Sequence, residues 1–348
     1  MKKRLLFRSI LFVLLTVSLF SCEKDSTTDS NTKPSASVYV AGYELNGPGY
    51  VAKIWKNGVS TNLTDGTKNA AASSVFVSGS DVYVAGYESN GTKDVAKVWK
   101  NGVSTIILSD GAENTYASSV FVSGSDVYAA GIEITGTSGT GYTAIVKVWK
   151  NGVSANLTDG TLPADAFSVF VSGTDVYAAG YEFNGTKNVA KVWKNGVATN
   201  LTDGTKNAAA FSVFVSGSDV YVAGSESNGT ENIAKIWKNG ASTNLTDGAN
   251  TASARSVFVS GSDVYVAGFA FNGNRYVAKI WKNGVSTNLT DGTKNAYAFS
   301  VFVSGSDVHV AGIERSGIDY AAKIWKNGVA TNLTDGTNEA AAVSVFVK

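Results

Sequence analysis

Few residues in this chain of 348 are suited to chemistry. There is one histidine, His309, and one cysteine, Cys22. Those counts exclude a multi-histidine metal centre, a thiolate zinc site and an internal disulfide, and no cofactor is expected. The residues best suited to holding a ligand are Tyr116, Asp165, Phe167, Phe211, Arg255, Tyr297 and Phe299. Aromatic rings would give apolar contact area, and Asp165 and Arg255 would orient polar groups. The competing reading is that these side chains are core. As a catalytic set they are poor. Asp165 and Arg255 could serve a glycan hydrolase or lyase, but two-carboxylate chemistry lacks an evident second acid. Seven aspartates precede glycines (Asp65, Asp110, Asp159, Asp203, Asp247, Asp291, Asp335). Each offers one carboxylate where calcium wants about six to eight oxygens, so an Asx turn is the better reading. No nucleophile elbow or phosphate loop is present, and the chain is read as a non-enzyme.

The elements that must position these residues are written seven times. Val-Tyr-Val-Ala-Gly, or a near copy, begins at Val38, Val82, Val127, Val176, Val220, Val264 and Val308, at spacings of 44, 45, 49, 44, 44 and 44 residues. Every tryptophan marks the same unit: Trp55, Trp99, Trp149, Trp193, Trp237, Trp281 and Trp325. In the second copy, Ser74–Val77, Val82–Tyr87, Val95–Trp99 and Val103–Leu108 read as short strands. Between them stand Ser78-Gly79-Ser80-Asp81, an Asn90-Gly91 loop and Asn101-Gly102, a strong hairpin signal. Four strands and no helix every 44 residues predict an all-β, seven-bladed β-propeller with four antiparallel strands per blade. The first copy lacks a leading Ser-Val-Phe-Val strand, and Ser344-Val345-Phe346-Val347 has no blade after it. That orphan strand should complete the first blade and close the ring.

The copies differ mainly in the loop between strands two and three and in the crossover into the next inner strand. The third copy has the longest strand-two-to-three loop, Thr135 to Thr143. Just before Ser-Val-Phe-Val stand Ser73, Ser118, Phe167, Phe211, Arg255, Phe299 and Val343. Two positions earlier stand Ala71, Tyr116, Asp165, Ala209, Ser253, Tyr297 and Ala341. Period two puts both positions on one side of the strand. Both variable loops should open around one mouth of the central channel, where a rigid scaffold carries binding residues. The tryptophans could instead be sugar platforms, but their Lys-Val/Ile-Trp-Lys setting suits packing between blades. Six glutamates (Glu44, Glu88, Glu133, Glu182, Glu226, Glu314) should pair with third-strand lysines; the seventh copy has Ala270. His309 fills a tyrosine slot and reads as structural.

The N-terminus gives an address. Met1-Lys2-Lys3-Arg4 precedes an apolar run from Ile10 to Phe20, broken by Thr16 and Ser18, the pattern of a secretory signal. Leu19-Phe20-Ser21-Cys22 resembles the lipobox of bacterial lipoproteins, which implies lipidation at Cys22. The charged residues after it are similar to the export signals of surface lipoproteins in Bacteroidota. Residues 1–21 would be the signal peptide, 22–36 the lipidated cysteine and a flexible tether, and 37–348 the propeller. Losing residues 1–21 leaves 25 basic and 28 acidic side chains, a net charge of −3. Nucleic acid is therefore not an expected partner.

Over residues 37–348 the chain resembles secreted bacterial β-propellers with near-identical blades. The resemblance implies a monomer, lipid-anchored to a bacterial membrane, the outer one, and facing the periplasm or the cell exterior. It would present one propeller face to a glycan or protein ligand. Repeated-blade lectins imply the alternative of equivalent sugar sites between blades.

Overall fold

The computed structural model describes residues 36–135 and 143–348. The signal peptide, Cys22 and the tether up to residue 35 lie outside the described residues, as does most of the long third-copy loop. Residues 36–348 form one compact unit of seven four-stranded antiparallel sheets. Blade two shows the pattern, running from centre to rim as Ala70–Ser78, Asp81–Ser89, Asp94–Lys100 and Val103–Ile107. In blade one the inner strand is the C-terminal Ala340–Val347, paired antiparallel with Val38–Asn46. The ring therefore closes as expected.

Local chemistry explains the hairpins. Asn101 has φ 53° and Gly102 has φ 83°, the left-handed pair that a two-residue hairpin requires. The same asparagine also caps the neighbouring turn, since its Oδ1 accepts the Val82 N–H at 2.9 Å. Asp81 accepts from Asn101 Nδ2 at 2.9 Å and pairs with Lys100 at 2.7 Å. The Ser-Gly-Ser-Asp and Lys-Asn-Gly turns are thus bolted together on one face. All seven crossover aspartates form Asx turns, as Asp65 Oδ1 does with the Thr67 N–H at 2.8 Å.

The core lies between blades. All seven tryptophans are at most 1% exposed, which removes them as sugar platforms and leaves the packing reading. Six third-strand lysines pair with the six expected glutamates: Lys53–Glu44, Lys97–Glu88, Lys147–Glu133, Lys191–Glu182, Lys235–Glu226 and Lys323–Glu314. Lys279, opposite Ala270, turns instead to Asn288 Oδ1 at 2.6 Å.

Candidate functional site: the crossover mouth

Each inner strand carries a one-residue β-bulge at the position just before Ser-Val-Phe-Val. In blade two Ala72 pairs with Gly86 and Ser74 with Ala85, leaving Ser73 unpaired. The same shift isolates Ser118, Phe167, Phe211, Arg255, Phe299 and, in blade one, Val343. The variable position of the sequence is therefore the bulge residue, whose side chain the ladder does not fix. The repeated glycine stands opposite it. A Cβ on Gly86 would lie 2.0 Å from the Ala71 carbonyl oxygen, and the other six copies are as tight. Only glycine admits this close approach.

Below the bulges the channel is bound by two closed circles. The inner-strand serine accepts a hydrogen bond from the next blade's valine N–H at 3.1–3.2 Å, seven times around the ring. Phe76, Phe121, Phe170, Phe214, Phe258, Phe302 and Phe346 each touch two neighbours, at centroid distances of 4.6–4.9 Å. Adjacent rings are inclined by 47–55°, close to one-seventh of a turn, about 51°. Planes related by a sevenfold rotation reach that angle only when they stand parallel to the axis. At this spacing the rings form a continuous collar that lines the channel. Sequence reading missed both circles, although Ser-Val-Phe-Val recurs in every blade. Sameness between copies reads equally well as core.

Above the phenylalanine circle, the bulge residues form an uneven tier. Blades four to seven contribute Phe167, Phe211, Arg255 and Phe299, whereas blades one to three contribute Val343, Ser73 and Ser118. On the bulky side the groups are continuous. Phe167 meets Phe211 at 5.1 Å and Tyr181 at 6.1 Å. The Arg255 guanidinium lies 4.1 Å from the Phe211 ring and 5.4 Å from Phe269. Phe269 meets Tyr297 edge-on at 4.8 Å, and Tyr297 stacks on Phe299 at 6.3 Å and 7°. The stack places the two variable positions on one side of the strand, as the spacing predicts. On the small side a hollow of about 450 Å³ opens, floored by Ala71, Ala72, Ser73 and Ala341 and walled by Tyr43, Tyr50, Tyr87 and Phe299. Tyr43 and Tyr50 meet edge-on at 5.1 Å.

The seven expected residues are thus brought together only in part. Phe167, Phe211, Arg255, Tyr297 and Phe299 form one aromatic wall, and only Phe299 also borders the hollow. Tyr116 stands apart, edge-on to Tyr87 at 5.0 Å, with its hydroxyl donating to Asp94 Oδ2 at 2.7 Å. Asp165 pairs across the sheet with Tyr181, and burial pushes its carboxyl up to about 7. No ion pair joins Asp165 to Arg255 among the described residues, and neither charge is a cause of the other's shift. Tyr43, Tyr87 and Phe269 went unrecognised in the sequence. They occupy the position after the Val-Tyr-Val-Ala-Gly glycine, which varies between copies and lies across the ladder from the variable inner-strand residue.

No family model matches the chain, and no curated protein matches it. Solved structures do. The acylaminoacyl peptidase of Pyrococcus horikoshii is similar at 12% identity and a TM-score of 0.52, over 85% of this chain and 52% of the peptidase. This chain therefore spans about half of the length of that protein. The β-propeller domain of the Trilobed protease from Pyrococcus furiosus is similar at 10% identity and a TM-score of 0.40, over 77% of this chain and 96% of that one. At these identities the likeness concerns the fold alone. The chain is a seven-bladed β-propeller.

Proposed function

We propose that the chain is a non-enzymatic binding module, lipid-anchored through Cys22 in a bacterial outer membrane, that holds a glycan or protein at the crossover mouth. The observation that carries this reading is the tyrosine-walled hollow over the small side of the bulge tier. Concave, largely apolar hollows with a few polar groups are where ligands are held. The phenylalanine circle lines the channel beneath the mouth. A catalytic reading has no comparable support, because Asp165 and Arg255 are unpaired and lie in different blades.

A second reading is favoured by a separate observation. On the opposite face, three hollows of about 200–260 Å³ repeat the same lining between blades one and two, three and four, and five and six. Each combines the blade's tyrosine, lysine and leucine with the next blade's Asn-Gly turn, as Tyr39, Lys56, Leu63, Asn101 and Gly102 do. These would suit a multivalent lectin.

Calorimetry with glycans and proteins found by screening separates the two. The mouth reading expects a stoichiometry near one and at least tenfold weaker binding in Tyr87→Ala. A stoichiometry of several, unaffected by Tyr87→Ala, would overturn it in favour of the inter-blade sites.

A further inference from the structure

Arg255 is the one charged residue in the tier of bulge residues. Its guanidinium rests on Phe211 and Phe269, and its Nε is buried without a hydrogen-bond partner. It makes no ion pair among the described residues, and burial alone depresses its pKa. A guanidinium partly drawn out of water without a counter-charge is a costly arrangement that folds ordinarily pair off. Here the aromatic contacts recover part of the cost and also hold the guanidinium in one place. Such a planar fork, placed in advance, is the form best matched to a carboxylate. The same blade departs from the other six in the same electrical direction. Ala270 stands where each of the others carries a glutamate, and among the described residues Lys279 is the one lysine of the seven beside that position without a carboxylate partner.

We infer that the ligand of the mouth is an acidic oligosaccharide, and that a sugar carboxylate docks on Arg255 while a neighbouring sugar ring occupies the tyrosine-walled hollow. The inference rests on the mouth reading above. Adjacent bulge groups in this tier lie 4.1–5.1 Å apart where their rings touch, and Phe299 belongs to the blade after Arg255. One ligand can therefore span both features. Tyr43, Tyr50 and Tyr87 offer ring faces for apolar sugar edges and hydroxyls for polar ones, and Ser73 adds another hydroxyl. A peptide is the poorer fit. Each inner strand is paired on one side only. On its channel side, however, the valine N–H is already given to the neighbouring blade's serine, as Val75 N–H is to Ser344 Oγ at 3.2 Å. An extended main chain would have to displace that circle to pair there.

The test measures binding of the purified protein to a panel of hexuronic-acid oligosaccharides, the same panel with carboxyls reduced to primary alcohols, and peptides of matched charge. At least one uronic-acid oligosaccharide should bind, and its carboxyl-reduced form should bind about tenfold to a hundredfold more weakly. Arg255→Gln should erase that difference, and Arg255→Lys should restore part of it. Unaltered thermal unfolding of both variants would show that they fold. Equal affinity for acidic and reduced sugars, sensitive to Tyr87→Ala, would overturn the acidic-ligand inference and leave the mouth reading standing. Binding indifferent to both Arg255 and Tyr87 would overturn both. Failure of the whole uronic-acid panel, or capture of the peptides through Arg255, would overturn the choice of an acidic sugar.

Discussion

At the residue scale, a half-buried aspartate and a buried histidine give the molecule a readable pH profile. Asp165 has its carboxyl raised by burial from the ordinary 3.8 to about 7. Between those values the folded chain keeps a proton that the unfolded chain has released, so stability falls as pH rises from about 4 to 7. Asp165→Asn should therefore raise the melting temperature by a few degrees at pH 8 and leave it unchanged at pH 4. Equal shifts at both pH values would show that burial of the charge is not the cause. His309 works in the opposite sense. It is 3% exposed, its Nδ1 lacks a partner, and burial, followed by Lys326, lowers its pKa. Its contribution is present above the unfolded value of about 6.5 and is lost as pH falls below it. In the other six blades a tyrosine fills this slot, with a lysine ammonium 5.2–5.4 Å from its ring. His309→Tyr should stabilise the ring more at pH 5 than at pH 8 in paired thermal melts.

At the scale of elements, the strands were legible because alternation, Asn-Gly turns and Ser-Gly-Ser-Asp turns each have one good structural solution. The bulge was not. Ala72-Ser73-Ser74 continues an ordinary strand pattern, and nothing in those three residues says that the middle one is unpaired. The clue lay across the ladder, in a glycine repeated inside a strand, where glycine is otherwise unfavourable. Gly86→Ala tests the link. Its new methyl would meet the Ala71 carbonyl oxygen, and backbone cannot move aside as a side chain can. A loss of about 2–4 kcal/mol in chemical denaturation is expected. A neutral result would mean that the bulge yields and does not hold the mouth residues rigidly. The mouth was legible for a similar mixed reason. Variation between copies pointed to its bulge residues, but which of them touch was set by a partner strand that carries Tyr43, Tyr87 and Phe269.

At the scale of the whole molecule, closure was legible from an orphan strand, because an unpaired inner strand and a three-stranded first blade need each other. Ala340–Val347 does more than cover an edge. Ser344 accepts the Val75 N–H, Val345 donates to Ser300, and Phe346 bridges Phe302 and Phe76. Deleting residues 340–348 therefore opens both circles at once. The truncated chain should lose its single cooperative melt, with hydrogen exchange rising first along Val38–Asn46. An intact transition would mean that neighbouring blades suffice without the circles. The phenylalanine circle has one more effect. Near-identical units invite unequal exchange in the gene, which adds or removes a 44-residue copy without spoiling any strand. Six or eight units would turn the angle between adjacent phenyl rings to about 60° or 45° and change the opening they leave. The packing of the circle is therefore tied to copy number, since a miscounted ring would leave its phenyl rings too crowded or too loose.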